Sequence, residues 1–229
     1  MKAAVLFLVL LFITACGPVA GYPTAMQMQA KVGRSIVRVE VPLWGKGTGF
    51  YVKAASGATV IVTNAHVCSD TVRGLRVVGQ KMAESIRSLP RHTSPNRDLC
   101  VIKTSPRPEL ELPLAKQETD ISEPVYVVGH PAGMALTAEI GQVMGLRTIQ
   151  VEYPEAFCKN GGILQQSFFG SSCIKDFYAL GVSNKIIGGN SGGPLLNVRG
   201  EVTGVVFAGG NGMGFALRLE DLRKYLLKF

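Results

Sequence analysis

The sequence from Gly188 to Pro194 reads Gly-Gly-Asn-Ser-Gly-Gly-Pro and leads into the apolar pair Leu195-Leu196. Glycines let a backbone adopt positive φ angles and let a second chain approach closely. A nucleophilic serine needs such a setting, because the N–H groups of Gly189 and Ser191 would point at the oxygen that gains charge during attack. The alternative is a tight hairpin without a chemical role. The stretch makes Ser191 a candidate nucleophile at the start of a strand.

A second segment carries a candidate base for this serine. The apolar run from Val60 to Thr63 predicts a strand that ends shortly before His66. An imidazole has an ordinary pKa of about 6.5, so it can accept a proton and return it near neutral pH. Of the other histidines, His92 is expected at the solvated surface and His130 at a turn near a later strand.

A third segment supplies a candidate carboxylate. Asp98 opens an apolar run of alternating character, where it could orient a histidine and stabilise the imidazolium. Aspartate also caps strands and turns for purely structural reasons, and that alternative stays open at this point. Asp70 lies only four residues after His66, and Asp120 falls in a predicted linker. Both are weaker candidates.

The chain shows eleven short β-rich runs separated by glycine, proline and asparagine, which predicts an all-β fold of sandwich or barrel type. The runs are Ile36–Val41, Gly49–Lys53, Thr59–Thr63, Leu75–Val78, Leu99–Lys103, Val125–Gly129, Val143–Glu152, Phe177–Val182, Pro194–Val198, Glu201–Phe207 and Gly214–Leu217. Apolar residues three and four apart between residues 219 and 227 predict a closing amphipathic helix.

The domain organisation follows from the segment 105–122, which holds three prolines and little alternation. It is interpreted as a linker between a first barrel at 29–104 and a second barrel with its closing helix at 123–229. Residues 16–28 are interpreted as a tether. The 229 residues are 47% hydrophobic and only 17% charged, which excludes a disordered chain.

Charge and metal-ligand spacing exclude two other functional classes. The net charge of +8 is spread along the chain without a basic block, so no nucleic-acid partner is predicted. Histidine, cysteine and aspartate show no metal-ligand spacing, so neither a metal nor another cofactor is predicted.

The N-terminus has the features of a secretory signal. Lys2 precedes an apolar run from Ala3 to Ile13 that is too short to span a bilayer. The run ends in Ile-Thr-Ala-Cys, which resembles a bacterial lipobox and predicts a signal peptide at 1–15 with a lipidated Cys16. The alternative is an ordinary signal cut elsewhere. The prediction is an exported protein, periplasmic or at the cell surface, anchored to the membrane by lipid.

Five cysteines are an odd number for an exported protein, and assigning Cys16 to lipid leaves four. Three pairings are then possible. We favour Cys158 with Cys173, which would close a loop rich in glycine and serine, and Cys68 with Cys100. Two buried free thiols remain an alternative for the second pair.

The three motifs together resemble the trypsin-like serine peptidases, and within them the bacterial HtrA-like exported branch. Their chain order, His66 then Asp98 then Ser191, agrees with that family. The resemblance implies two packed six-stranded antiparallel Greek-key barrels of chymotrypsin-like type. It also implies a Ser-His-Asp triad, an acyl-enzyme intermediate, oxyanion donors at Gly189 and Ser191, and a protein or peptide substrate. Oligomeric state is left undetermined.

The resemblance also suggests a substrate pocket, built from Lys185, Phe207, Gly209 and Gly214. Lys185 stands six residues before Ser191, where the family places the pocket floor, and a basic floor would favour an acidic P1 side chain. A shift of one residue would place Asn184 or Ile186 there instead. The two glycines would leave room for a larger P1 residue.

Two departures from the family carry further expectations. Trypsins pair a new N-terminal ammonium with an aspartate before the serine, but this chain has Asn190 there, so no such switch is expected. A peptide-binding PDZ domain, usual in HtrA-like enzymes, is not expected either. One alternative to a protease is a catalytically silent binding or chaperone-like module. Another is an esterase, and the strand pattern and the order of the motifs disfavour the esterase.

Overall fold

The computed structural model describes residues 21–41, 45–68, 75–79, 91–94, 96–154, 163–167 and 170–229.

The first half of the chain forms one six-stranded antiparallel sheet. The strands of the first sheet are β1 (Ile36–Val41), β2 (Gly45–Lys53), β3 (Thr59–Thr63), β4 (Arg76–Gly79), β5 (Arg91–Ser94) and β6 (Leu99–Lys103). They lie in the order β4-β1-β2-β3-β6-β5. A one-turn helix, α2 (Ala65–Cys68), follows β3.

The second half forms a seven-stranded antiparallel sheet, in the order β13-β12-β11-β7-β8-β10-β9. Its strands are β7 (Pro124–Gly129), β8 (Thr137–Pro154), β9 (Ile163–Ser167), β10 (Gly170–Val182), β11 (Pro194–Leu196), β12 (Val202–Gly210) and β13 (Met213–Arg218). A pairing of β10 with β13 closes six of them into a ring, and β9 lies outside it against β10. The predicted all-β fold is confirmed: the first sheet has six antiparallel strands, and the second closes six antiparallel strands into a ring and adds β9 at its edge.

One buried apolar cluster contains residues of both sheets. Phe50 and Val62 of the first sheet belong to the same buried cluster as Tyr126, Phe177 and Val205 of the second. Each such side chain contributes roughly 1.5–3 kcal/mol by leaving water, so the interface between the sheets is a main source of stability. Functional side chains at the edge of this interface are therefore carried by tightly packed strands.

The predicted C-terminal helix is α3 (Leu219–Leu226), which turns Leu222 and Tyr225 into the core and Glu220 toward solvent. The hydroxyl of Tyr225 donates a hydrogen bond to the backbone carbonyl of His92 on β5 over 2.6 Å. The helix therefore ties the end of the chain to the first sheet. Among the described residues, no helix has both the length and the apolar character needed to cross a membrane.

The tether predicted at 16–28 ends in a helix, α1 (Ala25–Val32). Thr24 and Gln27 form a capping box, in which each side chain accepts a hydrogen bond from the other residue's backbone N–H. Met28 and Val32 are buried in the core. The last residues of the tether are thus packed, because an apolar face becomes available once the first turn is capped.

The segment predicted as a linker makes one isolated parallel bridge to each sheet. Leu112 pairs with Val52 of β2, and Leu114 pairs with Val202 of β12. Thr59 of β3 also donates a hydrogen bond to the Glu111 carboxylate at 2.5 Å. The segment therefore contacts strands of both sheets.

Strands β8 and β10 are much longer than the runs Val143–Glu152 and Phe177–Val182 predicted for them. Strand β7 pairs with β8 only along residues 137–142, and β13 pairs with β10 only along 180–182. Beyond those residues β8 and β10 pair with each other as far as Pro154 and Ser172. We call residues 143–154 and 170–179 the ribbon; its pairing extends beyond the pairings that close the ring of the second sheet.

Candidate active site

His66 lies on α2, directly after the buried strand β3. Thr63, at the end of that strand, donates its hydroxyl to the backbone carbonyl of Thr48 over 2.7 Å. The next residue, Asn64, donates its side-chain amide to the backbone carbonyl of Asp98 over 2.9 Å, and the Ala65 N–H donates to the same carbonyl over 3.1 Å. The turn that presents His66 is therefore fixed from both sides.

Asp98 is buried, with 2% of its surface exposed, and has a positive φ of 48°. Its Oδ2 accepts a hydrogen bond from His66 Nδ1 over 2.7 Å, and its Oδ1 accepts one from the His66 backbone N–H over 3.0 Å. A buried carboxylate is costly unless it is paired in this way. The pair that the sequence motifs suggested is brought together.

The His66 side chain keeps 26% of its surface exposed. Burial alone would lower its pKa, but the charge of Asp98 and the hydrogen bond to it outweigh burial, so the pKa of His66 is raised above its ordinary value. Because Nδ1 is committed to Asp98, Nε2 is the nitrogen available to another group.

Ser191 lies in a loop held against the first sheet. The Thr48 N–H donates to the Ser191 carbonyl over 2.8 Å. Gly192 has a φ of 84°, and a Cβ there would lie 2.2 Å from the Thr63 hydroxyl and 3.0 Å from the Asn64 nitrogen. Only glycine fits this approach, which brings the loop against the residues that lead to His66. The Ser191 hydroxyl donates to the Phe207 carbonyl at a long 3.5 Å.

Between Gly189 and Gly193, two backbone N–H groups are left over after the hydrogen bonds of the Ser191 loop are assigned. Asn190, Gly192 and Gly193 each donate their N–H to a backbone carbonyl. In the part of the chain that the structure describes, the N–H groups of Gly189 and Ser191 donate to no protein atom. These are the two donors predicted for an oxyanion hole.

The loop after β7 holds this part of the Ser191 loop. The Ala132 N–H donates to the Gly188 carbonyl over 2.6 Å. Gly189 has a φ of 97°, and a Cβ there would lie 2.2 Å from the His130 carbonyl oxygen. The Gly189 carbonyl accepts a hydrogen bond from the Thr48 hydroxyl over 2.7 Å. The peptide groups around Gly189 are thus held from two directions.

The residues predicted for a substrate pocket do not all meet. Phe207 is buried, and Gly209 and Gly214 lie next to each other as a register pair on β12 and β13. A Cβ on Gly209 would lie 2.9 Å from the Cβ of Ile186, and one on Gly214 would lie 2.4 Å from its Cγ1. The Ile186 side chain therefore lies against both glycines, whereas the Lys185 side chain is exposed.

The weaker candidates lie elsewhere. His92 is exposed on β5, Asp120 is exposed in the segment between the sheets, and Asp70 lies outside the described residues. His130 is buried, and its Nδ1 donates to the Met134 carbonyl over 3.0 Å. Burial chiefly lowers the pKa of His130.

Two residues at the site were missed by the sequence analysis. The hydroxyl of Tyr153 on the ribbon donates to Asp98 Oδ2 over 3.1 Å, and Lys175 places its Nζ 5.6 Å from the centre of the Tyr153 ring. Neither residue belongs to a recognisable motif. Only the long pairing of β8 with β10 brings them to Asp98, and no local signal in the sequence predicts that length.

A disulfide joins Cys68 to Cys100, with 6.3 Å between their Cα atoms. It links the turn that carries His66 to the strand that follows Asp98, and it excludes the free-thiol alternative for this pair. Cys173 is buried and disulfide-bonded. Its predicted partner Cys158 and the predicted lipidation site Cys16 lie outside the described residues. No cluster of three or more potential metal ligands occurs among the residues described.

A family model described as a trypsin-like peptidase domain matches residues 47–205, which include His66, Asp98 and Ser191. The chain belongs to the trypsin-like peptidase family. This membership covers more than two thirds of the chain and agrees with the resemblance found in the three motifs.

Two curated relatives and one solved structure illustrate the similarity. Human "Serine protease HTRA3" is 26% identical over 216 residues, covering 87% of this chain and 43% of that protein. The "Probable periplasmic serine endoprotease DegP-like" of Chlamydia trachomatis is 29% identical over 210 residues, covering 86% of this chain and 34% of that protein. This chain thus spans less than half the length of either relative.

The solved structure is that of the Rv3671c protease from M. tuberculosis in its active form. It aligns with a TM-score of 0.68 and 22% identity, covering 98% of this chain and 94% of the other. At this identity the likeness concerns the fold, which is the chymotrypsin-like fold that the motifs implied.

Proposed function

We propose that this chain is a serine endopeptidase in which Ser191 is the nucleophile, His66 the general base and Asp98 the residue that orients His66. The observation that carries the proposal is the pair of hydrogen bonds from His66 to the buried Asp98 carboxylate, at 2.7 and 3.0 Å. This arrangement leaves Nε2 of His66 as a proton acceptor, and the Ser191 loop packs against the turn that presents it.

The proposed reaction proceeds in two halves. Ser191 Oγ attacks the carbonyl carbon of a peptide while its proton passes to His66 Nε2, giving a tetrahedral intermediate. His66 then gives that proton to the leaving amine, the C–N bond breaks, and an acyl-enzyme remains on Ser191. A water molecule attacks the ester carbon while His66 Nε2 takes its proton, and His66 then returns that proton to Ser191 Oγ as the ester C–O bond breaks and the carboxylic acid leaves. Asp98 stays ionised and stabilises the imidazolium.

The two unused N–H groups support this mechanism. A negative oxygen forms on the substrate in each half-reaction, and donors fixed in advance stabilise it. Gly189 and Ser191 offer such donors on one loop, in which the N–H groups of Asn190, Gly192 and Gly193 are already bonded. The Ser191 hydroxyl lies toward the Phe207 carbonyl, so the proposal requires it to turn toward His66 when substrate binds.

We further propose Ile186, in place of Lys185, as the floor of the primary pocket. Its side chain fills the space between Gly209 and Gly214, whereas Lys185 turns to solvent. An apolar floor that shortens the pocket favours a small or medium aliphatic P1 side chain over an acidic or large aromatic one.

Export and lipid attachment at Cys16 belong to the same proposal. The chlamydial relative carries the word periplasmic in its name, and residues 1–15 have the features of a secretory signal. Metabolic labelling with an alkyne fatty acid tests the attachment: the unmodified protein should carry the label, and Cys16→Ala should lose it.

The competing hypothesis is a binding module that keeps the protease fold without turnover. Incubation with unfolded casein separates the two. A peptidase should convert casein into fragments, and the Ser191→Ala variant should bind it without cutting it. Intact casein after incubation with the folded, unmodified chain would favour the binding module.

A further inference from the structure

Tyr153 gives the Asp98 carboxylate a hydrogen bond that comes from the other sheet. Its hydroxyl donates to Oδ2 over 3.1 Å, and the same oxygen accepts the His66 Nδ1 bond. Oδ1 accepts the backbone N–H of His66. Of these three hydrogen bonds, only the one from Tyr153 is independent of where His66 lies.

The Tyr153 hydroxyl keeps its proton under all ordinary conditions. Burial, reinforced by the negative charge of Asp98, raises the pKa of Tyr153 far above its usual value. The phenol is therefore a permanent donor to the carboxylate. The residue is 6% exposed, so water has little access to replace it.

The Tyr153 ring is held in place by its neighbours on the ribbon and in the core. It packs at 6.0 Å from the Phe177 ring, which in turn packs at 5.0 Å from Phe207. Lys175 lies over its face, and Tyr153 is the register partner of the disulfide-bonded Cys173. The hydroxyl is thus presented by a braced side chain.

We propose that Tyr153 is a positioning residue that holds Asp98, and through it sets the orientation and proton affinity of His66. The inference rests on the proposed protease function. It assigns the ribbon a role in catalysis: the second sheet supplies the nucleophile and also fixes the carboxylate that belongs to the first.

The sign of the effect on His66 follows from the hydrogen bond. A donor to Oδ2 neutralises part of the negative charge that stabilises the imidazolium. Without the Tyr153 hydroxyl, more of the negative charge on Asp98 is available to stabilise the imidazolium, so the pKa of His66 should rise. Besides His66, the titratable groups that the described residues bring to Asp98 are Tyr153 from β8 and Lys175 from β10. Tyr153→Phe leaves Lys175 in place.

The test is Tyr153→Phe, with Tyr178→Phe as the matched control. Tyr178 is 53% exposed on β10 and packs against Arg218 rather than Asp98. We expect Tyr153→Phe to lower kcat by about tenfold, the scale of one hydrogen bond to a charged group, with KM within about a factor of two. The acid limb of its kcat/KM profile should move to higher pH. Tyr178→Phe should match the unmodified enzyme in kcat, in KM and in the position of the acid limb.

A second measurement does not depend on turnover. The His66 ring is titrated by NMR in Ser191→Ala, with and without Tyr153→Phe. We expect a higher His66 pKa in the double variant. An unchanged His66 pKa together with an unchanged kcat would overturn the proposal and assign Tyr153 to packing alone. If the unmodified protein is inactive but the pKa of His66 still changes in Tyr153→Phe, the protease assignment is refuted and the role of Tyr153 in positioning Asp98 is retained.

Discussion

Asp98 accepts two hydrogen bonds from His66, one from the ring Nδ1 over 2.7 Å and one from the backbone N–H over 3.0 Å. Each carboxylate oxygen takes one of them. The ring plane is fixed relative to its own backbone, and Nε2 carries the lone pair in the neutral form.

Asp98→Asn should therefore disable the base without disturbing the fold. The backbone N–H of His66 can only donate, so the amide oxygen would face it and the amide nitrogen would face Nδ1, and His66 would shift to the tautomer with Nε2 protonated. We expect kcat to fall about 10⁴-fold, as in other Ser-His-Asp enzymes, with the melting temperature nearly unchanged. Asp120→Asn, at an exposed site, is the control. Equal activity in the two variants would rule out the role of Asp98.

The pH dependence of kcat/KM should show an acid limb above the ordinary histidine pKa of about 6.5. Burial lowers the pKa of His66, but the charge of Asp98 and its hydrogen bond together outweigh burial and raise that pKa, so the imidazole stays protonated, and unable to act as a base, to a higher pH. His130 cannot supply this limb, because burial shifts its pKa in the opposite direction. A limb at or below 6.5 in the unmodified enzyme would contradict the His66 assignment.

Ile186→Ala should widen the P1 preference. Removal of the side chain between Gly209 and Gly214 opens the pocket, so kcat/KM for a phenylalanine at P1 relative to valine should rise by about tenfold or more. A peptide library with varied P1 residues measures the ratio. Lys185→Ala is the matched control and should leave the profile as it was. A P1 preference that changes in Lys185→Ala and stays the same in Ile186→Ala would instead indicate Lys185 as the pocket floor.

Gly189 and Gly188 offer a paired test of the oxyanion donors. A Cβ on Gly189 would lie 2.2 Å from the His130 carbonyl oxygen, at a φ that side chains rarely adopt, whereas a Cβ on Gly188 meets nothing within 4 Å. Gly189→Ala should displace its N–H and lower kcat by about 10²-fold or more. Gly188→Ala should retain most activity. Similar losses in both variants would argue against a specific donor at Gly189.

The residues predicted from sequence are those whose neighbours along the chain define them. Ser191 stands among glycines, His66 follows an apolar strand, and Asp98 precedes one, so short motifs locate all three. The closing helix was found by its periodicity. Strand β5, by contrast, reads Arg-His-Thr-Ser, a polar run without the apolar alternation that marks a strand.

The positions that the sequence does not decide depend on register and on distant pairing. Ile186 and Lys185 differ by one position, so the sequence leaves both open as the pocket floor, and the proposal of Ile186 rests on its contacts with Gly209 and Gly214. Tyr153 reaches Asp98 because β8 runs for 18 residues, far beyond its pairing with β7. The capping box of Thr24 and Gln27 is a local sequence signal for helix α1, whose first residues lie within the tether predicted at 16–28.

The central claim is that Ser191 is a nucleophile activated by His66, and covalent labelling tests it most directly. The folded chain is treated with a fluorophosphonate at pH 8 and the adduct is located by peptide mass spectrometry. We predict a single phosphonylated site at Ser191, with no adduct in Ser191→Ala and slow labelling in His66→Ala. A folded chain that stays unlabelled while trypsin is labelled under the same conditions, or an adduct on another residue, would contradict the account.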